Sequence, residues 1–208
     1  MLIQNNIHPT AYIAPDVKIG SGNYIGPYVV IDYGVTIGDG NYFASHCVIG
    51  SPAEHKDYFL APGKTIIGNN NRIHEFVTVN RGTERPTEIK NDIILLRGSH
   101  VGHDSVIHNK VTISCNVMIG GHSTILEGAN LGLGAVLHQY SVIGHYCMVG
   151  MGSVVIKSST ALPGITIAGN PAKWIKKNKI GLKRANITTS ELEKYIEDYE
   201  NICSHISL

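Results

Sequence analysis

Aliphatic or aromatic residues recur at every sixth position along most of this chain. The series runs Ile7, Ile13, Ile19, Ile25, Ile31, Ile37, Phe43 and Ile49, then resumes in phase at Ile67, Ile73 and Val79. After a four-residue shift it restarts at Ile89 and continues through Leu95, Val101, Ile107, Ile113, Ile119, Ile125, Leu131, Leu137, Ile143, Val149 and Val155. A helix repeats near 3.6 residues and a strand alternates with period 2. Six is a multiple of 2, so each hexad reads as a short strand with one inward side chain, followed by a corner. Gly follows the aliphatic residue at Gly20, Gly26, Gly38, Gly102, Gly120, Gly132 and elsewhere, and Gly suits corners that need unusual backbone angles. Three hexads close one triangular coil, and stacked coils place parallel strands about 4.8 Å apart. The fold class is therefore all-β, a parallel β-helix of about nine or ten coils. A β-sandwich with fortuitous spacing does not account for a register unbroken from Ile89 to Val155.

Two segments interrupt the repeat. Residues 51–64, SPAEHKDYFLAPGK, replace about two hexads, and residues 81–88, RGTERPTE, supply the phase shift. Both are polar with Pro or Gly and predict loops projecting from the coil, where a rigid scaffold tends to carry binding groups. The β-helix is assigned to residues 1–173. Residues 174–208 form a basic segment followed by one short helix. Thr188 and Glu191 have capping-box spacing, and Leu192, Tyr195, Ile196, Tyr199, Ile202, Cys203 and Ile206 follow helical spacing, predicting an amphipathic helix from about Thr189 to Ser204.

The 208 residues include 23 Gly and carry a formal charge of +1, so bulk charge argues neither for nor against a nucleic-acid partner. No apolar run approaches the roughly 18 residues of a membrane span. The N-terminus has no basic stretch followed by an apolar core, so no signal peptide is read. Cys47, Cys115, Cys147 and Cys203 form no C-x-x-C pair, which fits reduced thiols in the cytoplasm.

With three hexads per coil, residues 18 apart lie above one another. His103 then sits under Gly121, Asp104 under His122, and Gly120 under His138, with His100 just before His103. Three readings compete for this edge. The histidines could be solvated corner residues. H-x-x-H-D with further His could hold a metal, although the spacing matches no known zinc pattern. Or His103 could be a general base: a neutral His near pH 7 can take the proton of an attacking hydroxyl or amine. On that reading Asp104 orients its ring, and the Gly121 N–H donates to the developing oxyanion.

The segments SHVGHDS, IGGHS, VLHQY, GNPAK and GLKR resemble the UDP-N-acetylglucosamine acyltransferases that start lipid A synthesis, within the hexapeptide-repeat superfamily. The likeness extends from IHPTA at Ile7 to Arg184. It implies a left-handed helix and a homotrimer with active sites between subunits. It further implies His103 as base, Asp104 as its partner and Gly121 as oxyanion donor. His100, His122, His138 and Gln139 would line the substrate site, and Asn178 and Arg184 would bind the nucleotide sugar. The family's Asp-Leu-Lys-Tyr loop is matched here by His55, Lys56, Asp57 and Tyr58, which makes His55 and Asp57 substrate-binding candidates. The family's Glu before GLKR is Ile180, and its C-terminal helical domain is cut to about one helix.

The implied reaction transfers an acyl group from acyl carrier protein or CoA to a nucleotide-linked sugar, with no tightly bound cofactor and no metal. Alternatives are an N-acyltransferase acting on a UDP- or dTDP-amino sugar, a γ-carbonic-anhydrase-like metal enzyme, and a non-catalytic trimeric scaffold. Cys115, Leu133 and Met151, one coil apart, form a candidate acyl groove beside the His138 edge. Met at the position that closes the groove in the family implies a short donor, of about ten carbons or fewer. The basic stretch Lys173, Lys176, Lys177, Lys179, Lys183 and Arg184 is either a solvated face or an attractor for phosphates.

Overall fold

The computed structural model describes residues 4–56 and 63–205. Asp57, Tyr58 and Ile206 lie outside them. The hexads form short strands in three parallel sheets. The first holds Asn6–Ile7, Tyr24–Ile25, Tyr42–Phe43 and their successors. The second begins with Tyr12–Ile13 and the third with Lys18–Ile19. Pairing runs from coil to coil, as in Val101 with Ile119 and Ile119 with Leu137. The chain makes about nine turns of a parallel β-solenoid. We call the corner from the first sheet to the second the first corner, from the second to the third the second corner, and from the third back to the first the third corner.

The repeated aliphatic residues face inward, and from Ile25 to Val155 they are buried. Ile7 on the terminal coil stays exposed, because no further coil covers it. Alternation within each strand also turns the residue two before the aliphatic one inward. Val29, Cys47, Val77, Val117 and Ala135 fill the first corner this way. Asn5, Asn23, Asn41 and Asn71 do so at the third, each Oδ1 accepting the backbone N–H one coil on. Such side chains satisfy backbone donors that a corner would otherwise leave buried and unpaired. At the second corner the inward set is hydroxyl-bearing: Ser123 donates to the Gly120 carbonyl (2.7 Å) and Ser141 to that of His138 (2.6 Å).

The second interruption departs from expectation twice. Pairing resumes at Thr87, within the strand Thr87–Ile89, so the irregular part ends before residue 88. Nor does it project: residues 83–85 fold back onto Asp104. Their backbone donors find a buried carboxylate there instead of water.

After Ile165–Gly169 the chain reverses, and Ala172–Lys177 pairs antiparallel with that strand. Helix α1 (Lys179–Arg184) follows, in a stretch read only as basic, and then helix α2 (Thr189–His205). The capping box is formed: Thr188 N–H donates to Glu191 Oε2 and Glu191 N–H to Thr188 Oγ1. The stripe of α2 lies on the chain's own solenoid. Tyr195 stacks on His145 with centroids 4.3 Å apart, and His145 Nε2 meets Asp198 Oδ2 at 2.8 Å.

Candidate active site

The strand His100–Val101 ends in the second corner, and the 18-residue rise brings the next coil directly over it. His122 N–H donates to the His103 carbonyl (2.8 Å) and Tyr140 N–H to that of Gly121 (2.9 Å), which sets residues 103, 121 and 139 in one column. His100, His103, Gly120, Gly121, His138 and Gln139 line one cleft of about 410 Å³. His103 is 7% exposed, which does not fit a solvated corner residue.

Asp104 is completely buried with φ +60°. His103 Nδ1 meets its Oδ2 at 2.6 Å. Burial alone would raise this carboxyl. The Arg85 N–H, the His103 ring and the hydroxyl and N–H of Thr83 overturn that and hold it far below the usual carboxylate range. An ionised Asp104 accepts, so Nδ1 of His103 carries the proton. In the neutral ring, Nε2 is then the free base.

That nitrogen faces Gly121. A methyl group added to Gly121 would lie 2.8 Å from His103 Nε2, and one added to Gly102 would lie 2.7 Å from the Gly121 nitrogen. Two missing side chains therefore keep the base and the Gly121 N–H open to the cleft. Among the described residues the Gly121 N–H has no acceptor. The corner can thus take a proton at Nε2 and donate a hydrogen bond to a negative oxygen beside it.

The other histidines divide into two groups. His100 faces the cleft, its Nδ1 2.8 Å from Thr78 Oγ1, and burial lowers its pKa. His138 Nδ1–H donates to the Gln139 carbonyl (2.9 Å). His122 sits on the far side of His103, edge-on to its ring and stacked on Tyr140 at 4.5 Å. Burial lowers its pKa also, which keeps it neutral near pH 7.

His103, Asp104 and His122 come close enough to suggest a metal site. The carboxylate is already filled, however. Oδ1 accepts from the N–H groups of Thr83, Glu84 and Arg85, and Oδ2 from the Thr83 hydroxyl and His103. A cation would have to displace these donors, so the set does not fit a metal.

The remaining candidates are not among the residues lining this cleft. His55 packs edge-on against the His103 ring, with centroids 5.7 Å apart. Asn178 and Arg184 line a separate cleft of about 710 Å³ at the third corner, with Lys110, Asn130, Tyr146 and Lys176. Asn178 caps α1 by accepting the Gly181 N–H and donates to the Tyr146 carbonyl. Cys115, Leu133 and Met151 stack as a column, linked by Gly134 N–H to the Cys115 carbonyl and Gly152 N–H to that of Leu133. The column stands at the first corner, one strand of the second sheet away from His138 rather than beside it. Met151 is 75% exposed.

Sequence reasoning missed Glu54, Asn80 and Met118, which also line the His103 cleft, and Thr83 and Arg85 beneath it. Glu54 adjoins His55 in the first interruption, and Asn80 immediately precedes the second. Interruptions that enter and leave the coil at one corner were the available signal.

A hexad solenoid with a buried His–Asp pair opening on a corner cleft defines the class, a hexapeptide-repeat transferase. The bacterial transferase hexapeptide family (six repeats) matches residues 4–33 and 19–51. Two curated relatives are named acyl-[acyl-carrier-protein]–UDP-N-acetylglucosamine O-acyltransferase. The one from Gloeothece citriformis is 36% identical over 149 residues, 71% of this chain and 53% of the relative. The one from Saccharophagus degradans is 38% identical over 199 residues, 94% of this chain and 76% of the relative. The crystal structure of a UDP-N-acetylglucosamine acyltransferase from Bacteroides fragilis superposes with a TM-score of 0.79 at 30% identity, covering 93% of this chain and 83% of that one. The chain belongs to the acyl-[acyl-carrier-protein]–UDP-N-acetylglucosamine O-acyltransferase family. It spans about half the length of the first relative and three quarters of the second. No helix among the described residues is long and apolar enough to cross a membrane.

The depressed Asp104 pKa has a consequence for stability. A carboxyl whose folded value lies below its unfolded value, about 3.9, stabilises the fold fully above that value. The contribution is lost as pH falls through the folded one. Asp104→Asn turns an acceptor into a donor facing N–H groups and should cost roughly 2–3 kcal/mol at pH 7 in urea unfolding at fixed protein concentration. The deficit should shrink below about pH 4. Equal stability of the two proteins at pH 7 would refute this account of Asp104.

Proposed function

We propose that this chain transfers an acyl group from an acyl carrier protein thioester to a hydroxyl of UDP-N-acetylglucosamine, as the names of its relatives state for them. The observation that carries the reading is the His103 Nε2 lone pair, backed by a buried ionised Asp104 and facing the open N–H of Gly121. His103 Nε2 takes the proton of the sugar hydroxyl as its oxygen attacks the thioester carbonyl. The Gly121 N–H receives the negative oxygen of the tetrahedral intermediate. Collapse breaks the carbon–sulfur bond, and the imidazolium returns its proton to the leaving thiolate. No cofactor enters. Glu54 in the cleft supplies an acceptor for a sugar hydroxyl, and His100, His138 and Gln139 supply further polar contacts. We place the reaction in the cytoplasm, where four unpaired cysteines are at home.

We further propose a homotrimer. The exposed apolar residues Tyr12, Tyr28, Phe76, Met118, Leu133, Val136 and Met151 gather on the second sheet and its first corner. A contiguous patch of that kind marks an interface. A neighbour seated there would wall the His103 cleft and bring up its own Arg184, which this chain holds at a different corner. Light scattering at micromolar concentration should give three times the 22.5 kDa chain mass; a monomer would remove the second wall of the site.

His103→Ala should keep fold and assembly while turnover of the carrier thioester with UDP-N-acetylglucosamine falls about 10²–10⁴-fold. Activity within about tenfold of wild type would take His103 out of the mechanism. The acyl chain is placed along the outward face of the second sheet, over Met118 and Val136, towards Met151. Five residues of strand separate His138 from Leu133, about 16 Å at most, and Met151 closes the far end. Each methylene left unburied forfeits about 0.8 kcal/mol, so Met151→Gly should shift donor preference to longer chains. Unchanged chain preference in a Met151→Gly panel would discard this groove.

A further inference from the structure

We propose that the extra residues between Asn80 and Thr87 form an anion cradle for Asp104, and that Thr83 within it is a positioning residue for the His103–Asp104 pair. The proposal rests on the general-base reading of His103. A hexad coil needs no insertion here, and this one departs from the coil to wrap a single carboxylate. The backbone N–H groups of Thr83, Glu84 and Arg85 converge on Asp104 Oδ1 at 2.9, 2.9 and 2.8 Å. Successive N–H groups pointing into one concavity make a nest for an anion. Arg85 Nε donates to the Asp104 carbonyl at 2.7 Å, and the Asp104 N–H donates to Thr87 Oγ1 at 2.8 Å. The insertion therefore grips the backbone of Asp104 as well as its side chain and holds it in the left-handed region.

Thr83 does something the N–H groups of Glu84 and Arg85 do not. Its N–H also reaches Oδ2 at 3.1 Å, and its hydroxyl donates to Oδ2 at 2.8 Å, the same oxygen that takes His103 Nδ1–H at 2.6 Å. An ionised carboxylate offers about two lone-pair sites per oxygen. Thr83 occupies one on Oδ2 and leaves His103 the other, which fixes the plane of the imidazole and so the direction of Nε2. The hydroxyl also draws negative charge from Oδ2. Without it, the carboxylate would stabilise the imidazolium more strongly and raise the pH at which the base becomes protonated. Among the described residues, the other charged or titratable groups facing the pair are Glu54 and His55 from the first interruption, His100 from the same coil, His122 from the next, His138 from the one after, and Glu84 and Arg85 from the cradle. A substitution at Thr83 leaves all of these in place.

The test is Thr83→Val, nearly isosteric but without the donor, alongside Thr83→Ser, which restores it. Turnover is measured from about pH 5 to 9 with UDP-N-acetylglucosamine and an acyl carrier protein thioester. In Thr83→Val, kcat should fall about 10–100-fold with the sugar KM within about twofold. The acidic limb of kcat/KM should move up by about half a pH unit or more. Thr83→Ser should return both towards wild type. A cradle that only stabilised the fold would lower the unfolding midpoint without moving that limb. An unmoved limb, or a Thr83→Val enzyme with wild-type kcat, overturns the assignment. Should Thr83→Val not assemble, Thr83→Ala with the same readouts decides the question. His103→Ala, run in parallel, separates the two levels. If it stays active, the general-base reading fails. If it is inactive while Thr83→Val behaves as wild type, only the role of Thr83 fails.

Discussion

Everything in this molecule depends on coil-to-coil registry, the rule that residue i pairs with residue i+18 along an uninterrupted stack. In a parallel solenoid almost all backbone hydrogen bonding is between coils, so a one-residue slip would turn every inward aliphatic outward. The Asn column at the third corner and the Ser column at the second enforce the same spacing with side-chain bonds between coils. Registry is thus fixed redundantly, by apolar burial and by polar satisfaction, and both give the same answer.

The site follows from that rule with little added. Because the second-corner column places Gly121 over His103, the His103 ring and the Gly121 N–H come from different coils and meet without any loop to position them. Such a pair is as rigid as the stack that holds it, which is what the proposed oxyanion stabilisation would require. The part that registry cannot supply is the orientation of the imidazole about its own side-chain bonds. That falls to Asp104, and through it to residues from the one place where the repeat changes phase. A break in registry is used where registry is insufficient.

The same division explains what could be read from the sequence. The hexads gave the solenoid, and arithmetic in steps of 18 placed His103 under Gly121 and Gly120 under His138, because a strict period converts sequence distance into spatial position. Thr83, Arg85 and Glu54 were not legible, because an interruption has no period and its path is decided by which buried group needs its donors. The candidate acyl residues do form a column, but at the first corner and not beside His138. Cys115, Leu133 and Met151 lie five residues before the position of His138 in their coils, nearly a whole hexad, and thus one side of the triangle away. Helix α1 escaped notice because Lys179–Arg184 carries one buried residue, Leu182, too few to make a periodic pattern.

One arrangement in the chain has no explanation within a single copy. The His103 cleft and the cleft holding Arg184 lie at different corners of the triangle, with the third sheet between them. The proposed reaction would need both a base and cationic partners for phosphate, and phosphate is best held by guanidinium and ammonium groups of the kind that Arg184, Lys110 and Lys176 provide. A rigid solenoid cannot bend to bring its corners together. The second sheet, which adjoins the His103 corner, leaves Tyr12, Met118 and Val136 exposed on its outward face. In the proposed trimer, a neighbour covering that face would remove apolar surface from water and bring up cations together. On the proposed trimeric reading, the rigidity that fixes His103 against Gly121 is also the reason the site would be shared between chains.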